Sequence, residues 1–225
     1  RPASGRGLLG DGVARFVSAM RREARKRPVQ LVEAMAKVRA AAPRAGVRLE
    51  ILGEGSERAK VERTVDRLGA KDWVSLPGRV PRDTLKERYA ASDVFVSPSV
   101  LESFGIAALE ARVAGLPVVG RVGSGISEFV TDDVNGFLAN DDEELVRRLT
   151  TLAVHPSVRS RMTADTLKTD PARGWDQVVQ AAEAELISGH GHLEMQAVAR
   201  RAGVSVGLAY HHFGSKAGLI AAVVE

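Results

Sequence analysis

The stretch DVFVSPSVLESFGIAALEA, residues 93–111, contains three consecutive structural signals. Residues 93–97 are mostly β-branched or aromatic, which is typical of a buried strand. Pro98 and Ser99 interrupt that run, and an alanine-rich segment that is predicted to open a helix around Phe104 follows. A strand, a short loop and a helix in this order indicate one unit of an α/β sheet.

The same alternation extends outward from this stretch, from Val13 to about Pro156. Further strands are predicted at residues 13–18, 47–53, 73–76, 117–120 and 136–139. The segments between them carry apolar residues three or four positions apart, as expected for helices that each pack one face on a sheet. We therefore predict a Rossmann-like, doubly wound parallel sheet, in which ligands bind outside the carboxyl ends of the strands.

The strand signal stops after Pro156, and the rest of the chain follows helical patterns with short breaks. We expect an α/β domain over residues 1–175 and a small all-α segment over residues 176–225. The 225 residues are 44% hydrophobic and 27% charged, which excludes a disordered or fibrous protein.

The chain has no cysteine, which excludes disulfide scaffolds, thiolate metal sites and cysteine nucleophiles. This composition favours a reducing compartment, so a cytoplasmic location is expected. Apolar runs such as residues 219–224 are far shorter than the ~20 residues that cross a bilayer, and no membrane span is expected. Because the chain begins with Arg1 and no signal segment follows, we expect further residues upstream.

Basic residues cluster near the beginning of the chain, where residues 1–30 contain eight Lys or Arg and two acidic residues. Arg21 and Lys26 belong to the connection between the first strand and a helix that Pro28 can open. Cations at such a position, together with a helix N-terminus, can bind a diphosphate. The alternative is a solvated basic loop.

A second candidate is the turn Gly53-Glu54-Gly55 at the end of the second strand. Glycines there allow backbone amides to approach a ligand closely, although a tight turn alone would also need them.

Two carboxylates mark the third candidate, with Glu102 ahead of a helix and Glu110 about two turns within it. They could bind separate hydroxyl pairs of one ligand, such as a sugar and a ribose. The first amides of the helix, at Phe104, Gly105 and Ile106, would point toward the strand ends. The alternative is that Glu102 caps the helix and Glu110 faces solvent.

The segment ESFGIAALEA, residues 102–111, resembles the motif of two glutamates separated by seven residues in retaining glycosyltransferases of GT-B architecture, the group 1 or family 4 type. The resemblance extends over about residues 13–180. It includes the spacing of Arg21 and Lys26, the GEG turn, LPGRVP at residues 76–81 and NGFL at residues 135–138. It implies a donor-binding domain whose substrate is a nucleotide-diphosphate sugar and which needs no metal or other cofactor.

The resemblance also implies roles for individual residues. Arg21 and Lys26 would contact the diphosphate and stabilise the leaving group, and Glu102 would bind the hydroxyls of the donor sugar. Glu110 would hold the ribose diol, and Val80 would lie beside the base. The predicted donor-binding set further includes Gly53, Gly55, Phe104, Gly105 and Ile106.

In this family a preceding Rossmann domain binds the acceptor, and the chain begins at or just before the second domain. We therefore expect the chain alone to bind or slowly hydrolyse a donor without efficient transfer.

Near the C-terminus, AVARRAGVSVGLAYHHFGSK, residues 197–216, resembles the DNA-binding head of TetR-family regulators. The resemblance covers about 45 residues and implies a helix-turn-helix with residues 206–212 as the recognition helix. Residues 181–225 contain three basic and four acidic residues, so weak binding to one half-site is expected. A generic helical hairpin is the alternative. The predicted DNA contacts are Ser205, Val206, Gly207, Tyr210, His211 and Lys216.

Three hypotheses follow for the whole chain. It is the donor-binding part of an enzyme, or a DNA-binding regulator with an appended sugar-nucleotide domain, or a fusion fragment that folds without either activity.

Overall fold

A computed structural model describes residues 12–103, 105–168, 173–188, 193–202, 209, 213 and 215–224. The chain divides into two compact units, Arg1–Lys168 and Thr169–Glu225. The first unit contains the β-sheet, and the described residues of the second are mainly helical.

Six strands form one parallel sheet in the order β3-β2-β1-β4-β5-β6. The order reverses between β1 and β4, so a crevice opens at the carboxyl ends of these two strands. The doubly wound sheet predicted from the sequence is confirmed, and each predicted strand lies within two residues of the observed one. The strands are β1 (Val13–Ala19), β2 (Gly46–Leu52), β3 (Val74–Gly78), β4 (Val94–Val96), β5 (Val118–Arg121) and β6 (Gly136–Ala139).

Helices cover both faces of the sheet and enclose two apolar cores. On one face, Leu31, Val61 and Leu149 pack with Phe16 of β1. On the other face, Tyr89 and Ala108 pack with Val17 of the same strand. This alternation is what a parallel sheet buried on both sides requires. The helices of the first unit are α1 (Pro28–Ala41), α2 (Arg58–Arg67), α3 (Arg82–Ala90), α4 (Ile106–Val113), α5 (Asp142–Val154) and α6 (Pro156–Lys168).

The two helices that begin beside the crevice start differently from each other. Helix α1 begins at Pro28, as predicted. Helix α4, predicted to open around Phe104, begins at Ile106. Gly105, with φ of 77°, precedes it in a left-handed conformation that is not part of a right-handed helix. Phe104 itself lies outside the described residues.

The second unit contains α7 (Arg173–Ser188), α8 (Met195–Ala202) and α9 (Lys216–Val224) among its described residues. Ala182, Val198 and Leu219 are fully buried in its core. The Ser215 hydroxyl accepts a hydrogen bond from the Gly218 amide at 3.0 Å and so caps α9. Across the part of the chain that the structure describes, no helix has both the length and the apolar character needed to span a membrane.

Candidate functional site

A cavity of about 300 Å³ lies at the carboxyl ends of β1 and β4. The loop after β1 and the segment leading into α4 form most of its wall. It brings together five of the predicted site residues: Arg21, Lys26, Glu102, Gly105 and Ile106.

A second cavity, of about 580 Å³, continues from the first toward the ends of β2 and β3. Gly53, Gly55 and Val80 line it, and Arg21 and Ala107 line both cavities. The two cavities are therefore adjacent parts of one cleft, which we call the strand-end cleft.

Lys26 and Glu102 form an ion pair across the first cavity, with 2.6 Å between Nζ and Oε2. Their side chains are only 17% and 16% exposed. The pair links the loop after β1 to the loop after β4, two segments far apart in sequence. A charge-assisted hydrogen bond of this length, largely shielded from water, is stronger than an exposed pair.

Arg21 differs from Lys26 in its exposure, because its side chain is 78% exposed. Its Nη1 atom lies 3.9 Å from Glu23 Oε1, an exposed contact that contributes little to stability. The Arg21 guanidinium can therefore reorient toward an anion in the cleft at small cost.

The two glycines of the GEG turn allow it to pack against the loop after β1. A Cβ on Gly53 would overlap the carbonyl oxygen of Met20, and one on Gly55 would lie 2.5 Å from that of Arg22. The Gly53 amide donates to Gly78 O at 2.7 Å, so it is already engaged within the protein. These contacts favour the tight-turn explanation for Gly53, while both glycines still line the cleft.

Glu110 lies on α4, one turn beyond Ala107, and does not line either cavity. Its Oε1 atom is 3.6 Å from Nη2 of Arg82, at the start of α3. The structure therefore places Glu110 beside the cleft and apart from Glu102. Burial, with a contribution from the Glu110 charge, raises the pKa of Tyr89, whose hydroxyl donates to Ala107 O at 3.2 Å.

Lys216, one of the predicted DNA contacts, is described as the half-buried first residue of α9. Six other predicted site residues lie outside the described residues: Phe104, Ser205, Val206, Gly207, Tyr210 and His211. The roles of all seven stay predictions.

Arg22 is a buried cation beside the cleft that sequence reasoning did not distinguish from its neighbours. Its side chain is inaccessible to solvent, and Nη2 donates to Ile51 O at 2.9 Å. Burial lowers the pKa of the guanidinium, and the charge of Glu54 opposes that shift. No pattern in the sequence distinguishes the buried Arg22 from its exposed neighbour Arg21.

Asp142 lies at the centre of a second cluster of charged residues, which the sequence did not reveal. Arg27 donates to both of its carboxylate oxygens, at 2.9 Å and 2.7 Å, and the buried Arg121 pairs with it as well. The hydrogen bonds from Arg27 lower the pKa of Asp142, and the Arg121 charge acts in the same direction. Because Arg27 follows Lys26 directly, this contact fixes the backbone that carries Lys26. The neighbouring Asp141 is the N-cap of α5, and its side chain accepts a hydrogen bond from the Glu144 amide.

A doubly wound sheet with a charged cleft at its strand ends is the architecture of a nucleotide-binding α/β domain. Residues 7–168 match the family of glycosyl transferases group 1, and the chain belongs to this family. Residues 179–223 match the bacterial regulatory proteins of the tetR family. Both resemblances found in the sequence are thus confirmed.

Individual relatives agree with this assignment. The D-inositol 3-phosphate glycosyltransferase of Xylanimonas cellulosilytica is 36% identical over 141 residues, which are 60% of this chain and 34% of that protein. The chain thus spans about a third of the length of that curated relative.

Two solved structures share the fold. The pneumococcal O-GlcNAc transferase GtfA in complex with UDP and GlcNAc has a TM-score of 0.65 at 22% identity, over 76% of this chain and 34% of that one. The C-terminal domain of a glycosyl transferase group 1 family protein from Francisella tularensis has a TM-score of 0.61 at 21% identity, over 68% of this chain and 82% of that domain.

Proposed function

We propose that the first unit binds a nucleotide-diphosphate sugar and acts as the donor-binding part of a retaining glycosyltransferase. The observation that supports this most directly is the convergence of Arg21, Lys26 and Glu102 on one cavity beside the start of α4. Cations, a carboxylate and helix amides together match a ligand that has both phosphates and hydroxyls.

The chemistry of glycosyl transfer fits this arrangement. When the bond between the sugar and the diphosphate breaks, negative charge grows on the diphosphate. Cations that contact it there stabilise the transition state more than the ground state, so Arg21 and Lys26 would lower the barrier. Glu102 would hold the sugar through its hydroxyls, and the second cavity, with Val80, would take the base and ribose.

Titration calorimetry of the full chain tests donor binding. The panel is UDP-glucose, UDP-N-acetylglucosamine, GDP-mannose and ADP-glucose, each up to millimolar concentration. We expect at least one to bind, and the double variant Arg21→Ala with Lys26→Ala to lose that binding. The matched control is Lys60→Ala with Arg67→Ala on α2, which removes the same charge from side chains that are each 60% exposed. No binding, or equal binding by both double variants, would contradict the proposal.

We also propose that transfer needs an acceptor-binding domain in addition to this unit, since the chain spans about a third of the curated relative. Incubating the chain with the radiolabelled donor should give slow release of free sugar at most. Efficient transfer to an added acceptor by the 225-residue chain would overturn this expectation.

A second candidate function is DNA binding by residues 179–223, which the match to the tetR family supports. Gel-shift selection from a pool of random duplexes tests it. A sequence-specific complex is expected. If binding is only salt-sensitive and independent of sequence, specific regulation is excluded.

A further inference from the structure

We propose that the Lys26–Glu102 ion pair makes the strand-end cleft select a sugar-bearing nucleotide over the bare nucleoside diphosphate, a role that rests on the proposed donor binding. Glu102 is paired with the cation that a diphosphate would need.

The backbone on both sides of the pair is well anchored. The Lys26 amide donates to Glu23 O at 2.9 Å, and the next residue, Arg27, is fixed by Asp142. On the other side, Glu102 O accepts a hydrogen bond from the Gly125 amide at 2.7 Å. The 2.6 Å contact is therefore a preorganised feature of the cleft, unlike the loose pair of Arg21 with Glu23.

A bare diphosphate gains little from such a pair. If it draws Lys26 away, the Glu102 carboxylate is left largely shielded from water, without its cation and beside a new negative charge. Leaving one partner of a shielded pair uncompensated is costly. If Lys26 instead stays with Glu102, the diphosphate loses a cation.

A sugar attached to the diphosphate removes this conflict. Its hydroxyls can donate hydrogen bonds to the Glu102 carboxylate at the moment when Lys26 turns to the phosphates. Both charged groups then have partners. After the sugar has left, the pair can form again and favour release of the nucleoside diphosphate.

The decisive measurement is the affinity of the Glu102→Gln variant for a bare nucleoside diphosphate. UDP, GDP and ADP are titrated calorimetrically beside their sugar conjugates, using the full chain. We expect Glu102→Gln to bind the diphosphate about tenfold more tightly than the unmodified chain, because Lys26 is released. A Glu102 that only contacts the sugar would leave this affinity unchanged, and that result would overturn the inference.

The double variant Lys26→Gln with Glu102→Gln shows whether the gain comes from the released lysine. It replaces both members of the pair by neutral side chains of similar size, so neither charge is left uncompensated. We expect it to bind the bare diphosphate no more tightly than the unmodified chain. A double variant that keeps the tenfold gain of Glu102→Gln would contradict the proposal.

Glu57→Gln is the matched control. Glu57 forms a 2.7 Å ion pair with Lys60, is 14% exposed and lines neither cavity. Its replacement should change the ratio of the two affinities less than twofold. If the unmodified chain binds no ligand of the panel, the proposed function fails and this inference with it. If it binds them in an Arg21- and Lys26-dependent way but Glu102→Gln leaves the diphosphate affinity unchanged, only the ion-pair inference fails.

Discussion

Asp142 shows how single residues near the cleft hold one another in place. Its carboxylate receives two hydrogen bonds from Arg27 and pairs with Arg121, whose side chain is only 4% exposed. The Nε and Nη1 atoms of Arg121 have no hydrogen-bond partner among the described residues. Asp142 is therefore the main compensation for a buried positive charge.

Asp142→Asn should destabilise the first unit at neutral pH. It leaves the Arg121 charge uncompensated, but Asp142 itself is half exposed, so we expect a loss of about 1–2 kcal/mol rather than the ~3–5 kcal/mol of a fully buried pair. Urea denaturation followed by tryptophan fluorescence measures it. Glu143→Gln, in the same turn of α5, is the control and should have little effect.

The same carboxylate predicts a pH dependence. The pKa of Asp142 is lower in the folded chain than the ordinary value of 3.8. Its contribution to the stability of the fold is therefore fully present above pH 3.8, and it is lost as the pH falls through the lower pKa of the folded state. The difference in unfolding free energy between the unmodified chain and Asp142→Asn should therefore shrink in acid below that range. A difference that grows on acidification would contradict the assignment.

Arg27 has a left-handed backbone, with φ of 57°, at the N-cap of α1. A residue with a Cβ costs roughly 1 kcal/mol there, whereas glycine does not. Arg27→Ala loses the ion pair and keeps the strain, while Arg27→Gly loses the ion pair and relieves it. We expect Arg27→Gly to be more stable than Arg27→Ala by about 1 kcal/mol in urea denaturation. Equal stability would show that the strain is absent.

At the scale of elements, the cleft depends on how closely the GEG turn approaches the loop after β1. The Arg22 amide donates to Glu54 O, and the Glu57 amide donates to Arg22 O, both at 2.8 Å. These bonds align the ends of β1 and β2, from which the two cavities are built. The connection between them is therefore part of the binding surface.

Gly55→Ala should disturb this connection, because the new Cβ would lie 2.5–2.8 Å from the backbone of Arg22. We expect a loss of roughly 2 kcal/mol in stability and weaker nucleotide-sugar binding. Gly69→Ala is the control: Gly69 has φ of 60° and open space around its Cβ, so only the backbone cost of about 1 kcal/mol applies. Unchanged binding in Gly55→Ala would show that the loop adjusts without moving Arg21.

The strands were predictable because a parallel sheet buried on both faces needs continuous apolar runs, as in Val94–Val96. The cleft residues were predictable from their position after such strands and from the family motif. The ion pair of Lys26 with Glu102 was not, since 76 positions separate the partners and no local pattern encodes the contact. The burial of Arg22 was missed for a similar reason, because tertiary packing alone distinguishes it from Arg21.

At the scale of the whole molecule, the two family matches differ in their charge. The formal charge of the chain is +4, yet residues 179–223 contribute none of it, because three acidic residues balance their only basic ones, Arg200, Arg201 and Lys216. Contacts between lysine or arginine side chains and the phosphates supply most of the sequence-independent attraction to DNA. The region that matches the tetR family can therefore neutralise few phosphates.

This charge count predicts how DNA binding depends on salt. Three cations can release at most about three counterions, so a plot of log affinity against log salt concentration should have a slope no steeper than about −3. Fluorescence anisotropy with a labelled 20-base-pair duplex, between about 50 and 200 mM salt, measures the slope. Arg201 already lies 3.9 Å from Glu185, so Arg200→Gln should flatten the slope more than Arg201→Gln. A clearly steeper slope would mean that cations outside residues 181–225 contact the DNA, and the binding would then belong to the basic first unit rather than to the segment that resembles a regulator.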